Sequence, residues 1–185
     1  RFCQPAGTKD ELREKLGWRK DLPVAVLVGG GEGMGPLAAV AKAINQQYMP
    51  MQLIVIAGRN HVLKEQLERM QWNMPVKIYG FVQDMPDFMR AADMLITKAG
   101  PGTICEAFIA GLPLILYSKM PGQEDGNVSY VVDEHAGIWA PEPEMVTAAL
   151  WNWLLKPEER LAAAQTAHRL ACPDASRQIA RLLVE

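Results

Sequence analysis

Residues 22–28 read LPVAVLV and run directly into the glycine-rich segment 29–35, GGGEGMG. A short, continuous apolar run is typical of a strand that is buried on both faces of a parallel sheet. In the following segment, 36–47, apolar residues recur at helical spacing from Leu37 to Ile44. A strand, a glycine loop and a helix in this order predict the first unit of an α/β domain.

The same alternation continues along the chain. Further strands are predicted at residues 51–57, 75–79, 93–97, 112–117 and 138–139. Helices are predicted at residues 10–16, 62–70, 85–92, 103–110, 127–135, 144–155, 157–172 and 173–183. Short connections between them predict a Rossmann-like, doubly wound parallel sheet with right-handed crossovers and helices on both faces. We expect residues 1–20 to be a linker with a lead-in helix and residues 21–185 to be the Rossmann-like domain.

The composition narrows the possible classes of protein. The chain has 185 residues, 19 Lys and Arg against 21 Asp and Glu, and a net charge of −2. These values are ordinary for one globular domain, and they give no general attraction for nucleic acid. No apolar run approaches the ~20 residues of a membrane-spanning helix, and residues 1–16 do not have a signal-peptide pattern. Cys3, Cys105 and Cys172 are far apart in sequence without CxxC spacing, which predicts a reduced, cytosolic environment.

The loop at residues 29–35 does not match the common nucleotide motifs. A G-x-G-x-x-G pattern fails because Met34 or Pro36 stands where the last glycine is needed, and the second strand lacks the expected acidic residue. Pro36 also stands where a P-loop needs Lys. A flexible turn is one interpretation of the loop. Five glycines in seven residues favour the other, in which a ligand closely approaches the backbone.

A second loop, at residues 98–103 (KAGPGT), lies between the fourth strand and a helix that carries Glu106. The amide groups at the helix N-terminus form a potential anion site, to which Lys98 adds a positive charge. Glu106 is placed to accept hydrogen bonds from a pair of ribose hydroxyls. A capping box formed by Thr103 and Glu106 is an equally good explanation of these two residues.

Two other strand ends carry candidate ligand-binding residues. Residues 122–127 (GQEDGN) follow the fifth strand, and their amides and carboxylates suit a polyol, although a polar loop with a helix N-cap is the alternative. Phe81 follows the third strand, where it stacks on a base or belongs to the core.

Other residue types do not indicate a site. There is no D-x-D sequence and no His, Cys and Asp cluster with metal-ligand spacing, so no divalent metal site is expected. His61, His135 and His168 fall in helix-like segments and are interpreted as surface or helix-end residues. The apolar stripe in residues 144–155 is interpreted as core, with Trp151 beside it as a candidate exposed residue.

These loops, in this order, resemble the donor-binding half of the GT-B glycosyltransferases of the family 28 type. Within that group, the chain is most similar to the monogalactosyldiacylglycerol synthases and their bacterial relatives. The resemblance extends over nearly the whole chain from Leu12 and is most specific in ITKAGPGT and GQEDGN. The matching segments are residues 29–35, 57–60 (AGRN), 80–82 (GFV), 96–103 with Glu106, 111–116 (GLPLIL), 122–127 and 173–175.

The resemblance implies that residues 21–185 bind a UDP-sugar, either UDP-galactose or UDP-glucose. The backbone at Phe81 and Val82 is expected to hold uracil, and Glu106 the ribose hydroxyls. Five residues are expected at the diphosphate: Lys98, Gly100, Gly102, Thr103 and Arg59. Three residues are expected to face the hexose: Gln123, Glu124 and Asn127. The first loop is expected to contribute Gly30, Gly31 and Glu32 to the donor site, and Gly31 and Glu32 also to line the cleft toward the acceptor.

The resemblance also implies inverting transfer of the sugar to the hydroxyl of diacylglycerol, with no metal and no cofactor. The catalytic base and the acceptor groove belong to an N-terminal domain that this chain lacks, so no catalytic residue is assigned here. We expect the chain to be a C-terminal fragment with little activity alone, from a cytoplasmic enzyme that is peripheral to the membrane.

Two other functions are compatible with these residues. One is a stand-alone donor-binding subunit of a two-chain UDP-GlcNAc transferase, as in the dolichol pathway. The other is a UDP-sugar epimerase of the same superfold. A structural domain that binds nothing is the least favoured interpretation.

Overall fold

The structure is a computed structural model that describes residues 2–3, 7–29 and 36–183. Within these residues, six strands form one parallel sheet. The strands are β1 (Val24–Val28), β2 (Gln52–Ile56), β3 (Val76–Tyr79), β4 (Met94–Lys98), β5 (Leu114–Ser118) and β6 (Gly137–Trp139). Their order is β3-β2-β1-β4-β5-β6, and every neighbouring pair is parallel. This is the doubly wound Rossmann-like arrangement that the sequence predicts, with its switch point between β1 and β4.

The helices cover both faces of the sheet. They are α1 (Lys9–Leu16), α2 (Leu37–Asn45), α3 (His61–Glu68), α4 (Met85–Ala91), α5 (Pro101–Ile109), α6 (Asp125–Asp133), α7 (Pro143–Leu155), α8 (Pro157–Leu170) and α9 (Ala175–Leu182). One core cluster packs α2, α3 and α7 on one face, and a second cluster packs α1, α4, α5 and α6 on the other. The strands supply both clusters because alternate side chains point to opposite faces, as Leu27 and Val26 of β1 do.

Three helices, α5, α6 and α9, begin two residues away from the predicted starts, and α6 begins at Asp125 instead of Asn127. Helix α5 begins at Pro101 instead of Thr103, since the fixed φ angle of proline suits the first helical position. Helix α9 begins at Ala175, after a turn at Pro173 and Asp174. The expected exposure of Trp151 is wrong, because this side chain is half-buried and packs against the core cluster of α2, α3 and α7.

Helix α1 is attached to the sheet by a charged side chain. A capping box between Thr8 and Glu11 starts the helix, and Gly17, at φ +64°, ends it. The guanidinium of Arg13 is buried, and its Nη2 lies 2.5 Å from Oδ2 of Asp93. The lead-in helix therefore packs on the domain through an ion pair that joins it to the start of β4.

Gly137 occupies a crowded position between β5 and α6. A Cβ atom there would lie 2.4 Å from the carbonyl oxygen of Leu114 and 2.7 Å from Cγ1 of Val131. We expect Gly137→Ala to lower the free energy of unfolding by about 1–3 kcal/mol, because β6 must move away from β5 to relieve the overlap. Urea denaturation measures the change.

Gly126→Ala is the matched control for this prediction. Gly126 lies in α6, and a Cβ there would meet no atom within 4 Å. Alanine also has the higher helix propensity, so the control is expected to leave stability unchanged or raise it by about 0.5–1 kcal/mol. Equal unfolding midpoints for the two variants would show that Gly137 is not constrained by its neighbours.

None of the helices in the described part of the chain is both long and apolar enough to cross a bilayer.

Candidate functional site

A cavity of about 190 Å³ lies at the carboxyl ends of the first three strands, beside the switch point of the sheet. We call it the switch-point cavity. Its lining residues come from the ends of β1 and β2, the segments after β2 and β3, and helices α4 and α5: Val28, Ile56, Gly58, Phe81, Val82, Met85, Thr103 and Glu106. Four of the residues that sequence analysis selects, Phe81, Val82, Thr103 and Glu106, therefore line one cavity.

Glu106 contributes a carboxylate to this cavity. Burial raises the pKa of this side chain above its ordinary value. The side chain is half-buried on a helix, and it lies one turn after Thr103, so both residues face the cavity. A carboxylate in a partly desolvated position is suited to accept hydrogen bonds from ligand hydroxyls.

The capping-box explanation of Thr103 and Glu106 is wrong. Helix α5 begins two residues before Thr103, its N-cap is Gly100, and no side chain caps it. Both residues consequently lie inside the helix, where they have no capping role. Their shared position on the wall of the switch-point cavity accounts for them instead.

Phe81 is not a core residue, as one interpretation of the sequence supposed. Its side chain is 52% exposed, and it lines the switch-point cavity. The guanidinium of Arg59 lies over the Phe81 ring, 4.5 Å from its centre. This cation–π contact brings the segment after β2 against the segment after β3 and fixes the aromatic face at the cavity.

The N-terminus of α5 lies at the end of β4. Lys98 is the last residue of that strand, and Gly100 precedes the first turn of α5. The amide groups of Gly102 and Thr103 have no intrahelical partner in such a turn. The space beside Gly102 is open, because a Cβ there would meet no atom within 4 Å. The predicted anion-binding residues are therefore collected at one helix terminus.

Two carboxylates in the loop after β5 accept hydrogen bonds from backbone amides of the same loop. The Oε2 atom of Glu124 accepts a hydrogen bond from the amide of Met120 at 2.7 Å. Oδ2 of Asp125 accepts another from the amide of Gly122 at 2.6 Å, and Asp125 also forms an ion pair with Lys119. These contacts hold the loop in a defined shape.

This loop is also joined to the segment after β4. Nδ2 of Asn127 donates a hydrogen bond to the carbonyl of Ala99 at 2.9 Å. A Cβ on Gly100 would lie 3.7 Å from Oε1 of Glu124. Glu124 and Asn127 thus lie next to the N-terminus of α5, while Gln123 is exposed at the tip of the loop.

Three predicted site residues lie outside the described part of the chain. Four residues that line the switch-point cavity are not among the predicted site residues. Gly30, Gly31 and Glu32 lie in the undescribed segment 30–35. The strand-end residues Val28 and Ile56 were identifiable from their place at the ends of apolar runs. Gly58 lies within the matching segment AGRN, and Met85 has no sequence signal.

In the described ranges, no group of three or more His, Cys, Asp or Glu side chains is arranged to hold a metal ion.

Residues 24–179 match the model of the glycosyltransferase family 28 C-terminal domain. The chain belongs to this family. It is 44% identical over 182 residues to the probable chloroplastic monogalactosyldiacylglycerol synthase 2 of Oryza sativa subsp. japonica, covering 94% of this chain and 39% of that protein. It is 42% identical over 182 residues to the chloroplastic monogalactosyldiacylglycerol synthase 1 of Arabidopsis thaliana, covering 94% of this chain and 34% of that protein.

The fold of this family 28 domain is shared with known crystal structures. Acinetobacter baumannii MurG matches with a TM-score of 0.72 at 22% sequence identity, over 95% of this chain and 52% of that one. The expected resemblance to family 28 and to the monogalactosyldiacylglycerol synthases is confirmed. The chain spans little more than a third of the length of the curated relatives described above.

Proposed function

We propose that this chain is the UDP-sugar-binding domain of an inverting, metal-independent glycosyltransferase that transfers galactose or glucose to diacylglycerol. One observation carries the proposal. In a family 28 domain, the switch-point cavity combines the partly desolvated carboxylate of Glu106 with Phe81 and Val82. An aromatic face, backbone groups and an acceptor for hydroxyls are what a nucleoside requires.

In this proposal the nucleoside occupies the switch-point cavity. Uracil lies against Phe81 and is recognised by the backbone of Phe81 and Val82, since a base edge needs both donors and acceptors. The two ribose hydroxyls donate hydrogen bonds to the carboxylate of Glu106. Arg59 supports this end of the site because it packs on the ring of Phe81.

The diphosphate and the sugar extend from the cavity toward α5 and the loop after β5. The amides of Gly102 and Thr103, the dipole of α5 and Lys98 stabilise the negative charge that develops on the departing UDP. Because these groups are fixed before the reaction, they supply the stabilisation without a metal ion. Gln123 and Glu124, in the adjoining loop, face the hexose.

The remainder of the reaction depends on a part of the enzyme outside this chain. A base deprotonates the hydroxyl of diacylglycerol, the oxygen attacks the anomeric carbon, and UDP leaves from the opposite face. The names of the curated relatives support diacylglycerol as the acceptor. Because its acceptor is a lipid, the whole enzyme works at a membrane surface. In this proposal it binds the membrane peripherally, and this domain lies on the cytoplasmic side.

Calorimetric titration of this chain with nucleotide sugars tests the proposal. UDP-galactose and UDP-glucose are expected to bind in buffer with EDTA, and ADP-glucose to bind more weakly because its base is larger. Tighter binding of UDP-GlcNAc than of both hexose donors would contradict the assigned donor. Failure of all UDP-sugars to bind would contradict the site itself.

Phe81→Ala is expected to weaken UDP-galactose binding about 5- to 100-fold, because base–aromatic stacking contributes ~1–3 kcal/mol. The side chain is 52% exposed, so the fold is expected to keep its stability. Tyr48→Asn is the matched control, because Tyr48 is 70% exposed, lies outside the cavity and adopts φ +51°, which asparagine tolerates. Equal affinities for the two variants in the same titration would exclude stacking on Phe81.

A further inference from the structure

All three cysteines of the chain lie near one corner of the domain, although they are far apart in sequence. Sγ of Cys3 donates a hydrogen bond to the carbonyl oxygen of Pro173 at 3.7 Å. Cys105 and Cys172, together with Pro173, line a cavity of about 440 Å³ between α5, α6 and the junction of α8 and α9. All three thiols belong to exposed residues. Three segments of the chain thus bring solvent-accessible thiols to one surface.

We propose that this corner is a thiol-modification site, in which a hydroperoxide converts Cys3 and Cys172 into a disulfide. The sulfur of Cys3 already contacts the residue that follows Cys172. Both cysteines lie outside helices and strands, so their backbones can adjust to the narrow geometry that a disulfide requires. Neither residue belongs to the switch-point cavity.

Cys105 is the less suitable partner. It lies within helix α5, where the backbone is fixed by hydrogen bonds, whereas the sulfur of Cys3 contacts the residue that follows Cys172. Cys105 therefore serves as an internal control: it is an exposed thiol that is not expected to form a disulfide.

Hydrogen peroxide is the oxidant in the proposed formation of the disulfide. The two thiols lose two electrons and two protons, and a sulfur–sulfur bond forms between Cys3 and Cys172. Hydrogen peroxide accepts the electrons and protons, its oxygen–oxygen bond breaks, and two molecules of water are released. One thiolate attacks a peroxide oxygen and becomes a sulfenic acid with release of the first water, and the thiolate of the other cysteine then attacks that sulfur and displaces hydroxide, which is protonated to the second water.

The disulfide would close a loop that contains almost the whole chain. Cross-links of long loops restrict the unfolded state most, and they therefore stabilise the folded chain relative to the unfolded one. For a domain of this size, we expect the oxidised chain to unfold at a temperature about 4–16 °C higher than the reduced chain. A reductant is expected to reverse the shift.

Oxidation of the reduced chain with hydrogen peroxide, followed by alkylation and tryptic digestion without reductant, tests the proposal. The expected product is one linked pair of peptides, residues 2–9 with residues 170–177, with the alkylated Cys105 in the peptide 99–119. Cys105→Ser is expected to retain the linked pair and the rise in unfolding temperature. Cys3→Ser and Cys172→Ser are each expected to lose both.

Three results would overturn the proposal. They are three alkylatable thiols after oxidation, a linked peptide that contains Cys105, and cross-links between chains only. Because the linked peptides and the unfolding temperature are measured without nucleotide, the outcome is independent of donor binding at the switch-point cavity.

Discussion

Replacing Glu106 with Gln is expected to weaken UDP-galactose binding about 10- to 100-fold, because charge-assisted hydrogen bonds contribute ~1.5–3 kcal/mol. The substitution keeps the shape of the side chain and removes its charge. In the folded protein, burial raises the pKa of Glu106, so the ionised carboxylate is disfavoured there relative to the unfolded chain. At neutral pH this charge therefore costs stability, and Glu106→Gln is expected to be at least as stable as the wild type.

Loss of affinity together with retained stability distinguishes a binding residue from a structural one. Calorimetric titration and urea denaturation of the same preparations measure the two quantities. Glu65→Gln is the matched control, because Glu65 is an exposed carboxylate on α3, paired with Arg69 and outside the switch-point cavity. An affinity of Glu106→Gln equal to that of the control would remove Glu106 from the site.

The raised pKa also predicts how binding depends on pH. The carboxylate accepts hydrogen bonds from the ribose only when it is ionised, so affinity is expected to fall as the pH decreases through the raised pKa of Glu106. UDP-galactose is the appropriate ligand, since its diphosphate is esterified at both ends and lacks the second phosphate ionisation near pH ~6. The affinity of Glu106→Gln is expected to be nearly constant over the same range.

Replacing Asp93 with Ala is expected to lower the free energy of unfolding by up to about 3–5 kcal/mol, because it removes the carboxylate that pairs with the buried guanidinium of Arg13. Oδ2 of Asp93 accepts hydrogen bonds from Nη2 of Arg13 at 2.5 Å and from the amide of Val24 at 2.7 Å. Oδ1 accepts one from Lys9 at 2.9 Å. The variant leaves the buried Arg13 guanidinium without its carboxylate and the Val24 amide without its acceptor.

Asp87→Ala is the matched control, because Asp87 also pairs with a lysine of α1, but that lysine is largely exposed. Nζ of Lys15 lies 2.8 Å from Oδ2 of Asp87, and 66% of the Lys15 side chain is exposed. Surface pairs of this kind contribute ~0–1 kcal/mol. Similar unfolding midpoints for Asp93→Ala and Asp87→Ala would show that α1 is not held through Asp93.

The stability contributed by Asp93 is also expected to depend on pH. Burial alone would raise the pKa of Asp93, but Lys9, the Val24 amide and Arg13 together lower it below its ordinary value. The contribution is therefore complete above the pKa of the unfolded chain, and it is lost as the pH falls through the lower pKa of the folded protein. Asp93→Ala is expected to lack this part of the acid-induced loss of stability.

Sequence patterns predict the sheet because the strands of a parallel sheet are buried on both faces. The apolar runs that end at Val28 and near Ile56 and Thr97 correspond to β1, β2 and β4. The same logic locates much of the candidate site. Parallel strands end at one edge of a sheet, so Phe81 after β3 and the residues after β4 are expected at the same edge of the sheet. Their presence in or beside the switch-point cavity follows from topology.

Contacts between distant segments are not predictable in this way. Arg13 and Asp93 are 80 residues apart, and neither residue has a local pattern that selects the other. The stacking of Arg59 on Phe81 and the gathering of the three cysteines likewise depend on how helices and loops pack. The T-x-x-E pattern favours a cap at Thr103, whereas the proline at residue 101 begins α5 in the structure.

The most direct test of the proposed donor site compares UDP with 2′,3′-dideoxy-UDP on the wild type and on Glu106→Gln. If Glu106 binds the ribose hydroxyls, their removal is expected to weaken binding to the wild type about 10- to 100-fold and to have a much smaller effect on the variant. Equal losses for the two proteins would contradict the central claim, because the hydroxyls would then be recognised by residues other than Glu106.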